Sequence, residues 1–147
     1  MPSGRQPKKV APEPTQFTVR TDEGSYDLEA TIQLIGQDIL IAVWGGDRPH
    51  IGAVSGAQTQ PSIVNPTKTS ATASVLCFPG HKEDQLVKPM AEKIARLTDR
   101  HVVVTAGAHW DKIDGEGIEQ TLRNSDILAD MILKKLGTSS DNGDEEK

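Results

Sequence analysis

Residues 70–82 read SATASVLCFPGHK, and the rest of the chain is arranged around this run. Small and β-branched residues from Ala71 to Phe78 predict a buried strand, Pro79-Gly80 ends it, and His81-Lys82 lead towards a helical pattern. A strand, a glycine turn and a helix start in that order place backbone N–H groups and a cation at one edge of a sheet. The first N–H groups of a helix lack internal partners and the helix dipole is positive there, so the place suits an anion. Turns of this kind are common, and most bind nothing. What sets this one apart is that two other histidine-bearing turns are built alike.

Downstream, Glu83 and Asp84 complement a helix N-terminus, and Leu86, Val87, Met90, Ala91, Ile94, Ala95 and Leu97 follow helical spacing. Pro89 belongs in the first turn of that helix or marks a break. Val102–Ala106 predicts a short buried strand, broken by the polar turn Gly107-Ala108-His109-Trp110-Asp111. A last helix follows, with Asp114 as N-cap, Glu116 in the first turn and a stripe from Ile118 to Leu136. Upstream, Phe17–Thr21 is a short alternating strand. Tyr26, Leu28, Ala30, Ile32 and Leu34 alternate with polar residues, Gly36-Gln37-Asp38 turns, and Ile39–Trp44 is a second, nearly all-apolar strand. Gly45–His50 is a polar turn joining two neighbouring strands, the second being Ile51–Ala57. Residues 58–69 form a polar, proline-bearing loop at the rim of a site or interface.

The predicted fold is therefore α+β: a mostly antiparallel sheet with two helices on one face. Its bare aliphatic face invites a partner, a second copy by two-fold pairing. Residues 1–16 carry four prolines and basic side chains without periodicity, and residues 137–147 are acidic; both read as tails around one domain, 17–136.

The bulk numbers narrow the function. The chain has 147 residues, a formal net charge of -5 and 3% aromatic content, so the core is aliphatic and no basic patch recommends nucleic acid. No apolar run is long enough to span a bilayer and no signal peptide is present, so no membrane is expected. The single cysteine, Cys77, sits in an apolar run; without a disulfide partner it points to a cytoplasmic setting and a core role.

Three of the four histidines fall in glycine-containing turns at strand ends: Arg48 with His50, His81 with Lys82, and His109 with Trp110 and Asp111. Together they offer guanidinium and ammonium groups for a phosphate, an indole for a flat ring, and imidazoles able to trade protons. The bland reading gives a surface ion pair, a roof over the core and a turn cap. A histidine metal site lacks the close-spaced ligand pairs of known motifs, and no strained serine elbow is present.

GGDRPHIGAVS (45–55), TASVLCFPGHKEDQLVKPMAE (72–92) and VVVTAGAHWDKI (102–113) resemble the LpdD-like prenylated-flavin chaperone family, the small subunits that accompany UbiD-type decarboxylases of hydroxyaryl acids. The resemblance spans about residues 17–136. It implies a domain similar to proteasome assembly chaperones, paired as a homodimer. It also implies binding of reduced prenylated FMN, the product of a flavin prenyltransferase, for protection, maturation or delivery to the decarboxylase without turnover of its own. Carried onto this chain, the cofactor meets Gly46, Asp47, Arg48, Pro49 and His50, then Gly80, His81 and Lys82, then His109, Trp110 and Asp111. Arg48 and Lys82 are assigned to phosphate, Trp110 to the ring system, and His81 and His109 to polar edges. The alternatives are a stable non-catalytic subunit of the decarboxylase and a small histidine-metal enzyme.

Overall fold

The computed structural model describes residues 15–61, 63–65, 67, 69–80 and 83–138. The elements are β1 (Gln16–Arg20), β2 (Leu28–Ile35), β3 (Asp38–Gly46), β4 (Ala53–Pro61), β5 (Thr69–Cys77), α1 (Asp84–Thr98), β6 (Val102–His109) and α2 (Gly115–Lys135). They form one six-stranded sheet in the order β1-β2-β3-β6-β4-β5. Every pairing is antiparallel except β3 with β6. The expected α+β architecture is present, with a sheet that is mixed through this one parallel pair.

The alternation read in β2 and β3 decides which face is covered. Leu28, Ala30 and Ile32 lie beside Val43 and Ile41, which continue into Val104, Ala106 and Ala53 across the sheet. Helix α1 covers the β4, β5 and β6 side of this face and α2 covers β1 and β2. The core is aliphatic, and each fully buried Leu, Ile or Val adds about 1.5–3 kcal/mol relative to exposure. Lys93 on α1 clamps the helices together, 2.8 Å from both Asp126 and Asp130 on α2. Burial alone pulls this ammonium down, but hydrogen bonds to the two carboxylates outweigh it and hold the group above its ordinary value.

Several expectations are corrected. The turn after β3 does not join neighbours, because β6 lies between β3 and β4. Residues 102–106 pair on both edges, and pairing with β3 alone continues through Gly107 and Ala108 to His109 opposite Gly46. Most of the 70–78 run is the edge strand β5, mostly exposed, with Cys77 half-buried, because among the described residues no strand pairs beyond it. Gln58–Pro61 and Thr69 are strand, since the β4–β5 hairpin extends past the start of β6. Ile51 is exposed and precedes β4. Pro89 sits in the second turn of an unbroken α1, on its exposed side. A proline there removes only a bond to a carbonyl near the helix start, which water can serve. At the N-terminal boundary, the Leu34 N–H donates to the Thr15 carbonyl; the remainder of the expected tails, 1–14 and 139–147, lies outside the described residues.

One topological consequence positions the site. β3 runs parallel to β6, and β5 runs the same way because both it and β6 are antiparallel to β4. The turns after β3, β5 and β6 therefore leave the sheet at one edge. Both helices also begin at that edge.

Candidate functional site

The turns after β3 and β6 are joined through backbone and side chain. The Asp47 N–H donates to the His109 carbonyl at 2.6 Å, and the Asp111 N–H donates to the Asp47 carboxylate at 3.1 Å. Gly46 makes this approach possible: it sits at φ +83°, and a Cβ there would run into the His109 carbonyl and the Trp110 ring. Arg48 is 73% exposed and its Nη2 lies 3.9 Å from Asp111 Oδ1, the same oxygen that His109 Nε2 meets at 3.1 Å. An exposed, long ion pair of this kind contributes little. Pro49 is exposed and follows Arg48 in the bend.

The turn after β3 also reaches the start of α1. His50 Nδ1–H donates to the Arg48 carbonyl, and Nε2 lies 2.9 Å from Glu83 Oε1. Both ring nitrogens thus face oxygen acceptors, and the contact with Glu83 is satisfied when a proton lies between Nε2 and Oε1. The pair is well enclosed, with side chains 25% and 12% exposed. Gly52 makes room for it, because a Cβ at that position would land on the Glu83 carboxylate. Glu83 occupies the N-cap position of α1 without capping it through its side chain.

Trp110 leaves the end of β6 and packs on the core with its ring edge-on to Tyr26, centroids 5.2 Å apart. Tyr26 has φ +58°, a left-handed conformation that costs about 1–2 kcal/mol for a non-glycine residue. Asn124, fully buried on α2, offsets that cost by donating to the Ser25 and Tyr26 carbonyls at 2.8 and 2.7 Å. Asp27 closes the same loop. Its carboxylate accepts from the Thr21 hydroxyl and from the Glu23 and Gly24 N–H groups, bonds that favour the ionised form and hold its pKa below the ordinary value.

Beside these pieces lies a half-open cavity of about 480 Å³, inside the range of about 300–1,000 Å³ typical of small-molecule sites. His50, Gly80, Glu83, His109 and Trp110 line it together with apolar side chains of both helices. Of the residues expected at the site, His50, Gly80, His109 and Trp110 line the cavity, while Gly46, Asp47, Arg48 and Asp111 brace its rim. His81 and Lys82 lie outside the described residues. Sequence reading missed Glu83 as a site residue, taking it for a dipole partner, and missed Tyr26, Asn124 and the α2 wall. Among the described residues no group of three His, Cys, Asp or Glu side chains is placed to hold a metal, and no helix is long and apolar enough to cross a membrane.

Comparison with known proteins gives the fold and the family. A chain of a chaperone complex for yeast 20S proteasome assembly superposes with a TM-score of 0.52 at 15% identity, covering 83% of this chain and 98% of that one. That likeness is one of fold. Protein LpdD of Lactiplantibacillus plantarum is 32% identical over 126 residues, 81% of this chain and 84% of the relative. Residues 22–137 match the prenylated flavin chaperone LpdD-like domain, a span that contains every strand from β2 onward, both helices and the whole cavity lining. The chain belongs to the LpdD-like prenylated flavin chaperone family.

Proposed function

We propose that this chain binds reduced prenylated FMN in the cavity at the ends of β3, β5 and β6, and passes it to a UbiD-type decarboxylase of hydroxyaryl acids. The observation that carries the reading is the half-open cavity with Trp110 on one wall and the His50–Glu83 pair on another, in a chain of this family. The donor set suits a flavin. Apolar walls take the ring system, and the imidazoles and the α1 start offer partners to its polar edges. The start of α1 already carries the Glu83 and Asp84 carboxylates, so the phosphate falls to Arg48 and Lys82 rather than to the helix dipole.

The cofactor supplies the electron sink that the decarboxylase uses. The work of this chain is to bind, orient and exclude water. Trp110 offers a ring face, His109 faces the polar edge, His50 holds the Glu83 carboxylate in place on the polar wall, and Arg48 and Lys82 are the phosphate candidates. Arg48 does so by leaving its long contact with Asp111. A flavin prenyltransferase is the source of the cofactor in this reading. The uncovered sheet face, carrying Leu40, Ala42, Trp44, Val54 and Val103, is the surface we assign to a second copy.

Anaerobic titration with reduced prenylated FMN tests the reading. Expected is one flavin per chain and its transfer to apo-decarboxylase; absence of binding by the intact chain sinks it. Arg48→Ala combined with Lys82→Ala is expected to weaken binding, and unchanged affinity in that variant removes the phosphate assignment alone. Sedimentation of a Val103→Glu variant against the parent tests the pairing surface.

A further inference from the structure

The cavity has two chemically different sides, and the following rests on the flavin reading above. Polar groups enter from the turn after β3, the start of α1 and the end of β6, as His50, Glu83, Gln85 and His109, interleaved with Leu86, Ala108 and Trp110 from the same elements. The opposite side belongs to α2 and the residues just before it, and is made by Ile113, Ile118 and Leu122, with Thr121 as its one hydroxyl. Positions 118, 121 and 122 share one helix face.

Further along α2, Leu128, Ile132 and Leu133 are fully buried against the sheet. Ile118 is 46% exposed. The apolar stripe thus runs past the sheet edge, where no strand lies under it, and continues as cavity wall. An isoleucine left half in water on an amphipathic helix adds little to folding, since its apolar area is not removed from solvent. It is held in place nonetheless, because the Asp114 cap fixes the start of the helix and the buried Asn124 fixes the helix to the loop at Tyr26.

We infer that the first two turns of α2, through Ile118 and Leu122, are the part of this site that separates a prenylated flavin from plain FMN. Prenylation adds five carbons and no heteroatom to the ring system. The first side mixes its polar groups with Leu86, Ala108 and Trp110, whereas the α2 side is apolar apart from Thr121, whose hydroxyl donates to the Gly117 carbonyl, so α2 suits the added hydrocarbon better than the carbonyls and ring nitrogens that plain FMN already carries. The bound flavin is therefore oriented with its hydrocarbon ring against α2 and its heteroatom edge towards His50 and Glu83. One methylene in an apolar pocket changes affinity by about 10–200-fold, so even a partly covered five-carbon addition gives a preference of at least ~10-fold.

Two ligands, reduced prenylated FMN and reduced FMN, titrated anaerobically into the full chain, decide the matter. The parent chain is expected to bind the prenylated form at least ~10-fold more tightly. Ile118→Ser should bring the two affinities together, chiefly by weakening the prenylated ligand, with an unchanged melting temperature because the position is half exposed. Ile118→Ser with Leu122→Ser should take the ratio close to one. Equal affinities in the parent overturn the inference and leave the flavin reading standing. A ratio that survives Ile118→Ser, in a variant that melts like the parent, overturns the assignment to α2. Failure of both ligands to bind the parent overturns the flavin reading and this inference with it.

Discussion

Asp114 and Glu83 stand at the starts of the two helices, on the same sheet edge, and their carboxylates turn in opposite directions. Asp114 accepts from the Gly117 N–H at 2.8 Å and so caps its own helix. Glu83 holds the equivalent place ahead of α1, yet its side chain leaves the helix and meets His50, 33 residues away in sequence. The first arrangement satisfies an orphan donor locally and stabilises α2. The second leaves the α1 start without a side-chain cap and ties two turns together along one wall of the cavity. An acidic residue before a helix is thus one sequence signal with two structural outcomes. The α2 wall is built for rigidity, and the α1 wall carries the polar chemistry.

Substitutions can break or sharpen this contrast. The largest loss is expected from Asn124→Ala, which removes hydrogen bonds to Ser25, Tyr26 and Gln120. At about 1 kcal/mol per bond, urea unfolding should show a loss of about 3 kcal/mol. Stability within a few tenths of the parent would mean that the α2 wall does not depend on this anchor. Next is Gly52→Ala, whose Cβ displaces the Glu83 carboxylate. Overpacking there should cost about 2 kcal/mol and also impair flavin binding.

Asp114→Ala should cost about 1 kcal/mol through loss of the cap, with flavin affinity little changed. Asp27→Asn acts through pH. The folded-state value of Asp27 lies below the ordinary one, so its contribution is present above about pH 4 and lost as pH falls through the folded value. The variant should be slightly less stable than the parent at neutral pH, with the difference closing in acid. Thermal melts from pH 7 to pH 3 check it, and a gap that widens in acid contradicts the assignment. Glu83→Gln keeps the shape of the side chain and should change stability least of all. Its effect is expected in flavin affinity, the opposite pattern to Asp114→Ala.

Much of the fold was readable because its signals are local. The β2–β3 hairpin follows from alternation ended at Gly36-Gln37, and α2 from a cap and a stripe at helical spacing. The strand end at Ala106 was misread because Gly107 and Ala108 carry no β signal, while pairing to Trp44 and Gly45 keeps them extended. The 70–78 run looked buried because its residues are small and apolar, but whether a strand is central or at an edge depends on its neighbours. Pro89 was misplaced for a similar reason: a helix tolerates it where the carbonyl it orphans faces water.

The candidate site divides along the same line. Histidines, glycines and a tryptophan concentrated in three turns were visible in the chain, and so was the resemblance of those turns to a known family. Nothing local says that His50 meets Glu83, that Asn124 holds Tyr26, or that Arg48 lies off the cavity wall. Sequence alone located the helices and the middle of each strand, though not strand ends such as Gln58–Pro61 or Gly107–His109, because hydrophobic period and capping act over a few residues. Only the tertiary structure decided that β6 enters between β3 and β4 and that three strands run the same way. Strand order is set by long-range pairing and burial, and that pairing brings three distant turns to one edge.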